Sequence, residues 1–278
     1  MLEALTKYWG FYMVATPDIN GVGVRDVLDA LDNIGEYQEW ESDLRHLPSE
    51  KRDAQHDINR RIALKEFRKV LAARVVVFEL FLQLAIKVDG ELQEKHKRIW
   101  LLFQVYNPSS TWHPFLQVIE KCFRKASGDA LNALVRRLNH IRDTYLHEPN
   151  FIFGLDEAQQ AARLYPYSFV SSTSNTKFRS IIRAIAEEFT KSPIRLIVSG
   201  TGLSLIELQE ASMASGISKP AHNVLIYHDL GIFDTWQKLR PFLECYVPAT
   251  LLESPSGLRL QKRIREYLLG RWVNTFLS

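Results

Sequence analysis

The chain has 278 residues, 46% hydrophobic and 24% charged, and its 35 basic and 32 acidic side chains leave a net charge of +3. That length fits roughly one or two domains with a core that needs no disulfide or metal staple, and so weak and dispersed a charge gives no electrostatic case for nucleic acid or an anionic membrane. Only two cysteines occur, Cys122 and Cys245, without a CxxC, which argues against a disulfide framework or a cysteine zinc site and for a reducing compartment.

Leu2 and Leu5 keep helical spacing, so the chain opens on a short helix with no basic-then-apolar leader, and the protein is expected to be intracellular, cytoplasmic or nuclear. Residues 9–15, Trp-Gly-Phe-Tyr-Met-Val-Ala, are aromatic and branched and predict a buried strand. Val24, Val27, Leu28 and Leu31 predict a helix over 22–34, with Gly35 at its C-terminal cap. Residues 36–57 are polar and read as an exposed insertion. A long helical pattern follows over 59–88; Arg74, Glu79, Gln83 and Lys87 interrupt its apolar stretch, which makes it a buried helix and not a membrane span. Helices are expected near 91–104, 112–125 and 128–147, broken at Asn107-Pro108 and Ser127-Gly128.

The second half changes character. Short apolar runs at 150–155, 193–199 and 223–227 predict strands, and residues 177–191 a helix carrying Arg179 and Arg183 one turn apart. Short apolar strands alternating with helices point to a parallel sheet covered on both faces. The expected fold is therefore α/β: a core over 1–228 with a helical insertion at about 36–147, then a small helical segment, 229–278.

The run Phe151-Ile-Phe-Gly-Leu-Asp-Glu-Ala-Gln159 carries the most chemistry. It puts two adjacent carboxylates at the carboxyl end of a parallel strand, where α/β folds bind ligands. Alternation along a strand separates the roles of Asp156 and Glu157. In a nucleotide hydrolase the first holds Mg²⁺ and the second activates water; as a simple helix start, Asp156 is an N-cap and Glu157 a favourable first-turn acid. The run Leu196-Ile-Val-Ser-Gly-Thr-Gly-Leu203 is a second strand tipped with small polar residues. Ser199 or Thr201 there suits contact with a γ-phosphate, or else a plain glycine turn. Arg179 and Arg183 line either a phosphate surface or a solvated basic face.

Together these strings resemble the Walker B and sensor-1 strands of AAA-like and STAND-like P-loop ATPases. With Trp9-Gly-Phe-Tyr, they look like the ATPase module of Crinkler-type effectors and of retrotransposon-hot-spot proteins. The resemblance implies a P-loop-type sheet, Mg²⁺ and ATP as cofactors, Asp156 on the metal, Glu157 as base, Ser199 and Thr201 near phosphate, and Arg271 of Gly270-Arg-Trp272 as a lid arginine. One departure is large: none of the 13 glycines precedes a lysine, so no GxxxxGK[ST] phosphate loop occurs. The chain is expected to start just past that loop, to bind ATP weakly or not at all, and to need a homo-oligomer or strand-supplying partner where the loop strand would lie, between 150–155 and 193–199. The competing expectation is a non-catalytic interaction module for protein or nucleic acid, for which the basic face of Arg259, Lys262, Arg263 and Arg265 is the best candidate. No HExxH, histidine cluster or GxSxG elbow offers another chemistry.

Overall fold

The computed structural model describes residues 1–16, 23–106, 112–148, 151–171, 174–189, 195–200, 254–255 and 258. The chain divides into two compact units, Met1–His222 and Asn223–Ser278, and all that follows concerns the first. It is mixed α/β and mostly helical, with a small parallel sheet flanked by helices.

Helix α1 (Leu2–Lys7) leads into strand β1 (Gly10–Val14) and then α2 (Asp26–Gly35). Helix α3 (Ser49–Asp89) follows, then α4 (Glu94–Val105), α5 (Pro114–Val118) and α6 (Gly128–Ile141). Helices α5 and α6 each run on into one wider π-helical turn, Ile119–Phe123 and Arg142–Leu146. Then come β2 (Ile152–Asp156), α7 (Ala158–Leu164), β3 (Phe169–Ser171), β4 (Ser174–Arg179), α8 (Ile182–Phe189) and β5 (Arg195–Val198).

Strands β1, β2 and β5 form one parallel sheet in that spatial order, with Val14 opposite Asp156 and Leu155 opposite Val198. Phe11, Met13, Phe151, Phe153 and Leu155 point into the main core against α3, whereas Tyr12, Val14 and Ile152 point to the other face, with Leu5 and Leu101. The two faces are therefore set by the period-2 alternation of each strand. On the α3 side the core is an aromatic cluster: Phe11 stacks on Phe153 with centroids 5.3 Å apart, and Phe78 packs on Trp100 at 4.8 Å. Truncating either Phe78 or Trp100 to alanine is expected to cost about 3–5 kcal/mol.

Helix α3 has 41 residues and is buried around much of its middle, which is why its pattern lacks one clean apolar stripe. Among the charged side chains it buries, Arg74 is completely enclosed. Its Nε and Nη2 form a fork on the Asp26 carboxylate at 2.7 and 2.8 Å, and its plane lies 4.5 Å from the centre of the Phe115 ring. The third nitrogen, Nη1, donates to the Tyr12 carbonyl at 2.6 Å. The outer edge of β1 is finished by such contacts. Gln104 Oε1 accepts the Tyr12 N–H, and the Gly10 carbonyl accepts from Trp100 Nε1 and Gln104 Nε2. Side chains of α3 and α4 thus take the place of a fourth strand on that side.

Several expectations are corrected. The polar stretch 36–57 is no free insertion: Leu44 is fully buried, Trp40 packs edge-on against Tyr165 and Phe169, and α3 already begins at Ser49. Its polar residues face solvent, while two apolar anchors hold it down. Residues 177–191 are not one helix. The antiparallel hairpin β3–β4 occupies its start, pairing Phe169 with Arg179, and α8 begins at Ile182. The apolar spacing is helical only from Ile181 onward, and the hydroxyl-rich residues before it favour extended chain. The expected strand 223–227, the helical segment 229–278 and the basic face at 259–265 lie outside the described residues. No helix among the described residues is long and apolar enough to cross a membrane.

Candidate functional site

Alternation and register bring three side chains to one face at the carboxyl end of the sheet. Position 12 of β1, position 156 of β2 and position 199 just past β5 share a face. Between them Gly154 leaves room: a Cβ there would fall 2.4 Å from the Met1 sulfur and 3.6 Å from Leu5. Helix α1 fills that space.

Asp156 is the centre. Its Oδ1 accepts the Ser199 hydroxyl at 2.7 Å and the Glu157 N–H at 3.0 Å, and its Oδ2 accepts the Tyr12 hydroxyl at 3.0 Å. Ser199 is locked by its backbone as well: its N–H donates to the Leu155 carbonyl, and its carbonyl accepts the Ala158 N–H. Its one hydroxyl proton is thus spent on Asp156. Tyr12 is held at backbone N, backbone O and side-chain oxygen alike.

Glu157 leaves the strand in a left-handed conformation, φ 54° and ψ 32°, which is uncommon for a residue with a side chain. Such strain persists where the surroundings enforce it, and it gathers at functional sites. Its carboxylate accepts from Gln159 Nε2 at 2.5 Å. Both acids are half-buried, so solvent reaches them. The simple helix-start expectation for Asp156 is not met. Its carboxylate reaches only the next residue's N–H and does not cap the turn of α7, whose N-cap is Glu157 with no side-chain cap bond.

Ser199 thus touches the Asp156 carboxylate, while Glu157 meets it through its backbone N–H and turns its own carboxylate to Gln159. Thr201 and Arg271 lie outside the described residues. Arg179 and Arg183 are not a pair on one helix face: Arg179 ends β4, while Arg183 lies in the first turn of α8 and donates to the Val170 carbonyl at 2.8 Å. Burial pushes the Arg183 guanidinium below its usual range, so it is no solvated basic face. The expected gap between 150–155 and 193–199 does not exist either. Strand β2 pairs directly with β5, and among the described residues it is the far edge of β5 that has no strand beside it.

Tyr12 is the residue that sequence reasoning gave no role. Its string was visible, but its contact with Asp156 depends on which strands pair. A separate cleft of about 410 Å³ opens at the amino ends of the strands, beside Trp9, Lys97, Tyr145 and Glu148, away from Asp156. The ammonium of Lys97 there is taken up by Glu94, Glu148 and the Lys7 carbonyl.

A carboxylate offers about four lone pairs, and three are occupied here, leaving one on Oδ2. No group of three or more His, Cys, Asp or Glu able to hold a metal forms among the described residues.

No family model, curated protein or solved structure matches the chain.

Proposed function

We propose that Tyr12, Asp156, Glu157 and Ser199 form the metal and water end of an Mg²⁺-dependent ATPase site of P-loop type, like that of Crinkler-type proteins. The observation that carries this reading is the clamped Asp156 at the carboxyl end of a parallel sheet, with Glu157 in a strained turn beside it. The place expected for a phosphate-loop strand, between 150–155 and 193–199, is taken by direct pairing of β2 with β5, and among the described residues the space for one is beyond β5.

When bound, Mg²⁺ neutralises charge on the phosphate oxygens. The residues of the chain do the rest. Asp156 would hold such an ion through its remaining lone pair, with Tyr12 and Ser199 fixing the plane of the carboxylate. Glu157 accepts a proton from the attacking water, and the Gln159 amide holds it until then. The sequence carries no GxxxxGK[ST] loop to grip the phosphates, so this chain by itself supplies only part of such a site.

Calorimetry of the chain with Mg-ATP should show no saturable binding in the low micromolar range; a tight one-to-one isotherm means that another element replaces the loop. Fusing a phosphate loop and its strand ahead of Met1 should restore binding. In that protein Glu157→Gln should keep nucleotide affinity and lower turnover by about 10²–10⁴-fold, the usual loss for a general base. Unchanged turnover returns Glu157 to a purely structural turn. Binding of a protein or nucleic-acid partner that survives Asp156→Asn and Glu157→Gln would favour a non-catalytic module instead.

A further inference from the structure

Among the described residues the β3–β4 hairpin pairs with no third strand, and a two-stranded hairpin alone is marginal in water. Side chains of the flanking helices fasten it. At Val170 both backbone groups are taken: the N–H donates to His56 Nδ1 of α3 at 3.0 Å, and the carbonyl accepts from Arg183 Nη1 of α8 at 2.8 Å. One turn further along α3, Asn59 Nδ2 donates to the Ser168 carbonyl at 2.8 Å. The His56 ring also stands edge-on to Phe169, with centroids 5.7 Å apart.

A ring nitrogen that accepts an N–H bond carries no proton, so His56 is neutral here, with its proton on Nε2. A second proton would sit on Nδ1, pointing at the Val170 N–H, and would put a positive charge beside Arg183, which bonds the same residue. We propose that His56 is a proton-operated latch: neutral, it pins Val170 and the β3–β4 hairpin to α3, and on taking up a proton it releases them. The charges around the ring are mixed. Arg183 of α8 and Arg60 of α3 oppose a proton there, while Asp57 and Asp53 of α3 favour it. Arg52 of α3 lies over the Phe178 ring, and Arg179 of β4 stands opposite Phe169. Burial, with Arg183 behind it, holds the imidazole below its ordinary range. The latched ring thus resists a proton that the released ring takes at the ordinary histidine value. Latching is at full strength above about pH 6.5 and weakens as the pH falls from there toward the depressed value of the ring. Asn59 does not titrate, so release starts at Val170 and stops at Ser168.

The test is hydrogen exchange at the Val170 N–H of the full chain between about pH 7 and pH 5, each rate divided by that of unprotected peptide at the same pH. The Ile152 N–H, bonded to the Trp9 carbonyl, is the reference, and the His56 ring is titrated alongside by NMR. Relative to Ile152, Val170 protection should fall by up to about tenfold for each pH unit below about 6.5, and the ring should titrate below its ordinary value. His56→Asn, whose Oδ1 takes about the place of Nδ1 without titrating, should keep Val170 protected across the range. His56→Phe, which keeps a ring on Phe169 but offers no acceptor, should leave Val170 poorly protected throughout. Val170 protection that stays flat with pH in the wild type, or falls as steeply in His56→Asn, overturns the latch. So does a His56 ring that titrates at or above its ordinary value.

Discussion

At the scale of single residues, the Arg74–Asp26 pair is the point on which the site's support is most exposed to damage. Both side chains are completely buried, and the guanidinium satisfies a carboxylate, a backbone carbonyl and an amide oxygen at once. Removing one member leaves the other buried and uncompensated, which commonly costs about 3–5 kcal/mol. Asp26→Ala should therefore lower the unfolding free energy by that amount, read as a fall in the denaturant midpoint at unchanged slope, whereas replacing both residues with apolar ones of similar volume should cost much less. A loss under about 1 kcal/mol in the single variant would mean that water reaches Arg74. Because Arg74 also holds the Tyr12 carbonyl, Asp26→Ala should loosen the Tyr12 hydroxyl from Asp156 as well. An exchange-broadened Tyr12 signal in the NMR spectrum would report it.

At the scale of elements, the closest approach is between β1 and β2. A Cβ on Gly10 would fall 2.1 Å from the Ile152 carbonyl oxygen and 2.5 Å from Leu5. The first of these is backbone and cannot step aside. Gly10→Ala should push the two strands apart and destabilise by about 1–3 kcal/mol or more, as overpacking does. Hydrogen exchange at the Ile152 N–H, which donates to the Trp9 carbonyl, should quicken first. The strands and most helices were legible in the sequence because each carries its own period: aromatic and branched runs for β1 and β2, and 3.6-residue spacing for α2 and α6. Asp156, Glu157 and Ser199 were legible as strand tips. Tyr12 was not, because its partner is fixed by strand order and by the small size of Gly154, and neither is local. The hairpin β3–β4 was hidden for a related reason. Its strands are short, and their pairing is visible only once Phe169 and Val170 meet the chain that follows.

At the scale of the whole molecule, the far edge of β5 sets the solution behaviour. Leu196, Ile197 and Val198 are half-exposed, whereas β1 and nearly all of β2 are buried. Since Ser199 hydrogen-bonds toward β2, alternation turns the backbone N–H groups of Leu196 and Val198 outward, where no strand among the described residues pairs with them, and an edge left so templates association. Light scattering on the purified chain should show mass rising with concentration. Val198→Pro, which deletes an outward N–H and leaves the β2 ladder intact, should suppress that rise. A monodisperse monomer at every concentration would mean that the edge is already covered. The opposite side of the sheet limits how far this can go. There, Gln104, Trp100 and Arg74 take the outward carbonyl of Gly10 and both outward backbone groups of Tyr12. The side chains that finish β1 therefore act as a terminator on that side of the sheet: a strand arriving at Gly10 and Tyr12 finds its backbone partners already taken.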